Sequence, residues 1–176
     1  MKLHTGLAAA AIALGAFAIS APSPAHAQMG KLKQEIEAKV KDPAAAEAIY
    51  KRRATMRHNA ALLKQVGAYV KTGKGSPKEV AADAKKVAEI LSVVPTLFPA
   101  GTGLDKYPGA TGAKPAAWEK PAEVKKHAED ARMLAMNLEK VASAPGATQK
   151  TIGAALGNLG KNGCGGCHRV FREKLN

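Results

Sequence analysis

The sequence predicts an all-α protein, specifically a four-helix bundle. Aromatic residues make up only 4% of the chain and alanine is abundant, a composition that favours helices over strands. Apolar residues recur every three or four positions in four blocks separated by glycine and proline, and no segment alternates with the period of a strand. Four amphipathic helices joined by two short connections and one long one are typical of a four-helix bundle.

The first predicted helix runs from about Asp42 to Lys71, with a short helical extension over 31–41 before it. Asp42 is a good N-cap and Pro43 suits the first helical position. One apolar residue recurs every seven positions and predicts the buried seam of this helix: Ile49, Met56, Leu63 and Val70.

The second helix begins at the capping box Ser76–Glu79 and is interrupted near Pro95. A long loop from Pro99 to Lys120 follows, in which Tyr107 and Trp118 are the expected packing anchors. The third helix is predicted from Pro121 to Ser143 and the fourth from Thr148 to about Glu173. Two methionines of the third helix are interpreted as core residues: Met133 and Met136.

Residues 1–27 have the features of a cleaved signal peptide. Lys2 supplies a positive start, Leu7–Ala21 is apolar, and Ala25-His26-Ala27 is a small-x-small cleavage signal. The apolar run is about 15 residues long, whereas a membrane-spanning helix needs roughly 20. We therefore expect an exported, periplasmic protein without stable membrane insertion, with residues 28–176 as its single domain.

The predicted mature domain is strongly basic. Lys2 is the only charged residue before Gln28, so 26 basic and 14 acidic residues remain, a net charge of +12. Such a charge favours acidic partners in a salt-dependent manner. Nucleic acid is not expected as a partner, because the lysines are dispersed and the chain is predicted to be exported. A redox protein with an acidic surface is the expected partner.

The chemistry of the chain is concentrated in Cys164-Gly165-Gly166-Cys167-His168, the attachment signature of haem c. At 100° per residue, Cys167 and His168 lie 300° and 40° round a helix from Cys164, so all three share one face. The two thiols can then join the haem vinyl groups while the imidazole of His168 binds the iron. Cys164 and Cys167 are thus the predicted attachment residues of one covalent haem c.

Other interpretations of the cysteine pair explain less. A structural zinc site needs four ligands, and a thioredoxin-like pair belongs beside a βαβ unit. A simple disulfide leaves His168 without a role. The glycines of the motif would let a porphyrin edge approach the backbone. Three glycines upstream share a face, which indicates either close approach of haem or another helix, or a frayed helix: Gly153, Gly157 and Gly160.

The residue opposite His168 on the iron is a separate question. Met56 is the best candidate because it lies on the apolar seam of the first helix, although core packing alone would also place a methionine there. His58 and His127 are weaker candidates, since a single helical histidine is usually a surface or core residue.

Several motifs together resemble the cytochrome c-prime/cytochrome c-556 family, the class II c-type cytochromes. The C-terminal Cys-x-x-Cys-His-x-x-Phe-Arg, residues 164–172, is similar to the family's haem motif. Leu97–Gly103 is similar to its Phe-Pro-containing loop, with Trp118 downstream, and Tyr50–Met56 looks like its Tyr-Arg-x-x-x-Met element. The resemblance covers essentially the whole mature domain.

The resemblance implies a bundle with haem held between helices. Arg52 matches the family arginine close to the haem and its propionates, with Arg53 beside it as a second candidate. Arg172 matches the basic residue near the proximal imidazole. At the position of Met56 the family divides. In c-556-like members a methionine binds iron, giving a low-spin electron carrier. In c-prime members the residue only crowds the distal face, and high-spin iron binds nitric oxide or carbon monoxide.

The sequence thus predicts an electron carrier rather than an enzyme, with His168 and Met56 as iron ligands and Arg52 beside the haem. The alternative is a high-spin protein that binds nitric oxide or carbon monoxide at an open distal haem face. Either a monomer or a homodimer fits this prediction.

Overall fold

A computed structural model describes residues 24–175, and this part of the chain is helical, with no named strand. A 3₁₀ turn, Val94–Leu97, follows α3, and a π-helical segment, Leu159–Cys164, connects α6 to α7. The α-helices in chain order are α1 Pro24–Lys39, α2 Pro43–Thr72, α3 Pro77–Val93, α4 Ala116–Glu119, α5 Pro121–Ser143, α6 Gln149–Asn158 and α7 Gly165–Phe171.

The predicted four-helix bundle is confirmed. Its members are α2, α3, α5 and the continuous C-terminal rod of α6, the π segment and α7. All four contribute buried apolar side chains to one main core. Alanine supplies many of the contact positions on α3 and α5, which lets these two helices approach closely. Fully buried members of this core include Val66, Ala84, Val87, Ala135, Leu138, Ile152 and Leu159.

Helices α2 and α3 begin at the predicted N-cap residues. The Asp42 carboxylate accepts hydrogen bonds from the backbone N–H groups of Ala44 and Ala45, at 3.0 and 3.3 Å. Ser76 Oγ accepts from the N–H of Glu79 at 3.2 Å. In each case a side-chain oxygen satisfies donors that have no partner within the helix.

The buried face of α2 differs from the predicted seam. Ile49 is fully buried, but the later members of the seven-residue repeat are only partly buried. A strict seven-residue period drifts by about 20° per repeat on a straight helix, so the repeat moves to the edge of the buried face. The centre of that face is formed instead by Arg52, Asn59, Leu62 and Val66.

The interpretation of Met133 and Met136 as core residues is wrong. Their exposed fractions are 53% and 40%, and both lie on the outer side of α5. Both lie close to Arg132, whose guanidinium donates to Met136 Sδ at 3.1 Å. The inner side of α5 is occupied by smaller residues, Ala128, Ala131 and Ala135 among them.

The N-terminal segment is a separate helix rather than a short extension. Helix α1 ends at Lys39 and the N-cap Asp42 starts α2, so the chain turns between them. Residues 1–23 lie outside the described part of the chain, so the signal peptide remains a prediction. Among residues 24–175, no helix combines the length and apolarity that a membrane span requires.

The C-terminal helix is interrupted by a π-helical segment that the periodicity of the sequence does not predict. The N–H of Gly165 bonds to the carbonyl of Gly160, five residues earlier. A π segment adds one residue to a turn and so rotates the residues after it by about 100°. This rotation allows Ile152 and Leu159 to face the main core while Cys167 and His168 face α2.

The closest contact between a glycine of the C-terminal helix and the backbone of α5 is at Gly163. Gly163 is not one of the three glycines predicted to share a face. A Cβ atom at Gly163 would lie 3.1 Å from the Cα of Ala131 on α5. By contrast, a Cβ at Gly157 or Gly160 would meet nothing within 4 Å. Gly153 also has a close neighbour, since its Cβ would lie 3.0 Å from Val70 Cγ1.

We expect Gly163→Ala to destabilise the protein by about 1–3 kcal/mol, because its methyl group would press on the backbone of α5. Gly157→Ala is the matched control on the same rod and should stabilise by about 0.5–1 kcal/mol, since alanine is the better helix former and space is open. Guanidinium unfolding of both variants measures the difference. Equal free energies of unfolding for the two variants would contradict the proposed contact.

Candidate haem-binding site

A cavity of about 360 Å³ separates α2 from the C-terminal helix α7. The 3₁₀ turn after α3, Phe98 and the loop 111–113 supply its other lining residues. This volume is within the range of small-molecule and cofactor sites. Its lining combines apolar side chains with several arginines. The lining includes Arg52, Arg53, Met56, Arg57, Val94, Phe98, Thr111, Ala113, Cys167, His168, Phe171 and Arg172.

The structure brings four of the five predicted site residues to this cavity. Met56 and Arg52 line it from α2, and Cys167 and His168 line it from α7. Cys164 is half-buried and packs against the main core, one turn before Cys167. The backbone at Cys164 is helical, with φ −60° and ψ −47°, as the single-face geometry of the motif assumes.

Burial keeps both cysteine side chains in the thiol form. Neither cysteine is in a disulfide. Burial raises the pKa of Cys164, and burial together with the neighbouring Cys164 raises the pKa of Cys167. Their neutral S–H groups match the chemistry of addition to a vinyl group.

Burial has the opposite effect on the pKa of His168. Removal from water lowers it, and the nearby positive charge of Arg172 lowers it further. Arg172 Nη1 lies 3.4 Å from His168 Nδ1. The imidazole is therefore neutral near pH 7, which is the form that binds metal.

Arg52 is a buried cation fixed by four hydrogen bonds. Its Nη1 donates to the carbonyl of Leu97 at 3.0 Å and to Thr102 Oγ1 at 3.1 Å. Its Nη2 donates to the carbonyl of Thr102 at 2.7 Å and to Thr111 Oγ1 at 3.0 Å. Burial lowers the pKa of Arg52 to about 10, so the group stays charged at neutral pH.

Two aromatic rings complete the surroundings of Arg52. The guanidinium carbon lies 5.1 Å from the ring centre of Phe98 and 5.6 Å from that of Trp118. These two rings meet edge to face at 5.8 Å, and Trp118 Nε1 donates to the carbonyls of Phe98 and Pro99. The predicted role of Trp118 as a packing anchor is confirmed, and Tyr107 likewise packs against the α1–α2 cluster.

The loop beside the cavity is joined to the end of α7 by backbone pairing. The N–H of Glu173 donates to the carbonyl of Gly112 at 2.7 Å, and the N–H of Lys114 donates to that of Phe171 at 3.0 Å. A Cβ on Gly112 would overlap the Glu173 carbonyl, so this close pairing requires glycine. The loop and the helix that carries His168 are thereby fixed relative to each other.

Among the described side chains, the other two histidines, His58 and His127, do not line the cavity. His58 is exposed on α2. The ring of His127 packs edge to face against Phe171 at 5.7 Å and lies beside Gly166. A Cβ atom at Gly166 would lie 3.6 Å from His127 Nδ1, an ordinary contact distance, so this packing does not require glycine.

Comparison with known proteins agrees with this geometry. The profile of the family described as cytochrome C′ matches residues 47–172. The chain belongs to the cytochrome c′ family. It is 37% identical to cytochrome c′ of Pararhodospirillum photometricum over 112 residues, which is 63% of this chain and 84% of that one.

Solved structures of the family share the fold. Cytochrome c′ from Rhodobacter spheriodes superimposes with a TM-score of 0.64 at 27% identity, covering 74% of this chain and 98% of that chain. A second cytochrome c′, whose dimer dissociates under the control of a ligand, has a TM-score of 0.61 at 26% identity, covering 73% and 95%. Family membership gives the chain a covalently bound haem c as its cofactor.

The residues present fit a haem of the family. The cavity lining includes the apolar side chains of Met56, Val94 and Phe98, together with the thiol of Cys167 and the neutral imidazole of His168. Arginines at the cavity complement the carboxylates of haem propionates. The donor set is thus that of a c-type haem protein.

The sequence did not reveal which residues accept the hydrogen bonds of Arg52. Two of these residues, Thr102 and Thr111, are buried in the long loop. Their distance along the chain from Arg52, 50 and 59 residues, left no local signal. Asn59 was also missed. It is 6% exposed, and its Oδ1 is the one buried side-chain polar atom among the described residues that has no hydrogen-bond partner.

We expect Arg52→Met to reduce the free energy of unfolding by about 2–4 kcal/mol, because it leaves buried carbonyl and hydroxyl groups without a donor. Lys64→Met, at an exposed position of α2 that does not line the cavity, is the control and should change it by no more than about 0.5 kcal/mol. Guanidinium unfolding of the haem-loaded proteins measures both. If Arg52→Met lowered the free energy of unfolding no more than the control does, the four hydrogen bonds of Arg52 would contribute little to stability.

Proposed function

We propose that this protein is a single-electron carrier exported to the periplasm, with one haem c bound between α2 and α7. The observation that carries the proposal is the cavity whose walls hold Met56 on one side and Cys167 and His168 on the other. When bound, the haem supplies an iron that alternates between ferric and ferrous states. The protein supplies attachment, axial ligation and an apolar surrounding. No catalytic residue is proposed.

Cys164 and Cys167 are the proposed attachment residues. Each S–H group would add across one vinyl double bond of the haem, forming a carbon–sulfur bond, and its proton would pass to the neighbouring vinyl carbon. The addition needs no oxidant. The raised pKa of both groups keeps them as free thiols before attachment. His168 is the proposed proximal ligand, because its neutral ring nitrogen can coordinate iron.

Met56 is the proposed sixth ligand. Its side chain is partly buried, packs against the main core and lines the cavity that His168 lines from the other wall. Thioether ligation raises the reduction potential of haem iron. With His168 and Met56 both holding the iron of a bound haem, no position would remain open for a substrate, as in electron carriers.

The arginines at the cavity are proposed to receive the haem propionates. Arg52 supplies a fixed positive charge, while Arg53, Arg57 and Arg172 line the same cavity. Of the described residues that line the cavity, Glu173 alone carries a carboxylate. This excess of positive charge, within a mature chain of net charge +12, supports an acidic redox protein as the partner.

The protein is proposed to be a monomer or homodimer. A relative of similar fold forms a dimer whose dissociation is controlled by a ligand. The predicted signal peptide and the family together support the periplasm as the location.

Binding of nitric oxide or carbon monoxide at an open haem face is the second candidate. One observation favours it. The chain belongs to the cytochrome c′ family, and a solved cytochrome c′ of similar fold has a ligand-controlled dimer dissociation. In this case Met56 would pack against the haem without binding the iron.

Covalent attachment predicts that the haem resists extraction. Denatured protein should keep its haem through acid-acetone treatment, and the intact mass should equal the mature chain plus one haem. Cys164→Ala/Cys167→Ala should lose covalent haem entirely, and His168→Ala should lose the normal proximal spectrum. Haem that extracts freely from the unsubstituted protein, matured with a competent system, would exclude this proposal.

Ligation by Met56 predicts a low-spin ferric spectrum with a weak far-red sulfur-to-iron band and slow carbon monoxide binding. Met56→Ala should become high-spin and bind carbon monoxide rapidly, because it opens the iron position. Met136→Ala, an exposed methionine on α5, is the control and should leave the spectrum unchanged. Absorption spectra of the ferric and ferrous proteins measure the change. If the unsubstituted ferrous protein is already high-spin and binds carbon monoxide readily, gas binding becomes the leading function.

A further inference from the structure

Helix α1 lies outside the part of the chain that the family profile matches. The profile begins at residue 47, after α1 has ended at Lys39. Two solved cytochrome c′ structures cover 73% and 74% of this chain. Yet α1 is firmly packed: Leu32 and Ile36, together with Val40 just after its end, are at most 3% exposed. This four-residue spacing forms a stripe that packs against α2 and the long loop, including Ile49 and Ala110.

The same helix holds the loop that forms one wall of the cavity. Lys39 Nζ donates to the carbonyl of Gly109 at 3.1 Å. Ala110 is fully buried between α1 and α2. The next residue, Thr111, lines the cavity and accepts a hydrogen bond from Arg52. Contacts of α1 thus reach the cavity through three consecutive loop residues.

A salt bridge between α1 and α2 provides a second, shorter connection from α1 to the cavity. Glu35 Oε1 on α1 lies 3.1 Å from Arg53 Nη1 on α2. The same Nη1 donates to the carbonyl of Ala110 at 2.9 Å. The Arg53 side chain is only 16% exposed and lines the cavity. Its guanidinium is therefore oriented by one acceptor on α1 and another on the loop.

We propose that α1 is a strap that sets the electrostatic environment of the haem, with Glu35 as the positioning residue for Arg53. This inference rests on the proposed haem site between α2 and α7. Reduction lowers the positive charge of the iron by one unit, so a nearby cation favours the ferrous form and a nearby anion opposes it. Glu35 holds the cation in place and at the same time offsets part of its charge.

The test is the midpoint potential of the haem-loaded protein, measured by spectroelectrochemistry at low salt. Arg53→Gln should lower the potential and Glu35→Gln should raise it. Because Glu35 acts through Arg53, its effect should be smaller in the Arg53→Gln background, giving a non-additive double-mutant cycle. Glu37→Gln is the matched control, since it removes the same charge from an exposed position of α1 whose partner, Lys33, lies on α1 itself.

Two results would overturn the strap. One is a shift for Glu35→Gln no larger than that for Glu37→Gln, and the other is an additive cycle with Arg53→Gln. Thermal unfolding of the same variants separates a purely structural role, which would lower stability without the coupled change in potential. Failure of the proposed function is distinct, because it appears as haem extracted from the unsubstituted protein. If the haem is retained but Glu35→Gln and Glu37→Gln shift the midpoint potential equally, the role of α1 is contradicted while the proposed function stands.

Discussion

The buried guanidinium of Arg52 is the constraint on which the rest of the site depends. An unpaired charge inside an apolar bundle would be very costly, so the chain must supply acceptors wherever this side chain lies. It does so from segments that have little regular structure, Leu97 after α3 and Thr102 and Thr111 in the long loop. A loop of about 20 residues is thereby fixed against α2. The cavity has a defined wall because this charge is satisfied.

The need to stabilise the buried charge of Arg52 also explains the aromatic residues around the loop. Phe98 and Trp118 pack on the guanidinium with their ring faces, and the indole N–H holds the chain at Phe98 and Pro99. Cation–π contact of this kind is strongest where water is excluded. Few aromatic residues are present in the chain, and two of them are used here. Their placement indicates that closing this end of the bundle requires more specific contacts than the alanine-rich helix interfaces do.

Local sequence signals predicted the helices and the chemistry of the motif. Asp42, Ser76 and Thr148 cap helices because their oxygens reach N–H groups two or three residues away, and such contacts are visible in the sequence. The Cys-x-x-Cys-His spacing is local in the same sense. It specifies one helical face, and Cys167 and His168 do line one cavity wall.

The features that were missed depend on contacts distant in sequence. The π segment at Leu159–Cys164 arises where Gly163 meets Ala131 on α5, and nothing near Gly163 in the sequence identifies that neighbour. The outward position of Met133 and Met136 follows from which side of α5 faces α3, and both methionines are as apolar as core residues. Helix α1 was predicted only as a short extension because its partner, Ala110, is far away along the chain.

Burial affects the groups of the Cys-x-x-Cys-His motif and Arg52 in different ways. Removal from water raises the pKa of Cys164 and Cys167 and lowers that of His168, so all three groups are neutral at the same pH. Burial also lowers the pKa of Arg52, to about 10, and this group therefore stays charged at neutral pH. Arg172, beside His168, is a second positive group at the cavity. A haem has matching features, with neutral vinyl groups at one edge and carboxylates at the other. The neutral thiols and imidazole suit attachment and ligation, and the arginines suit the propionates.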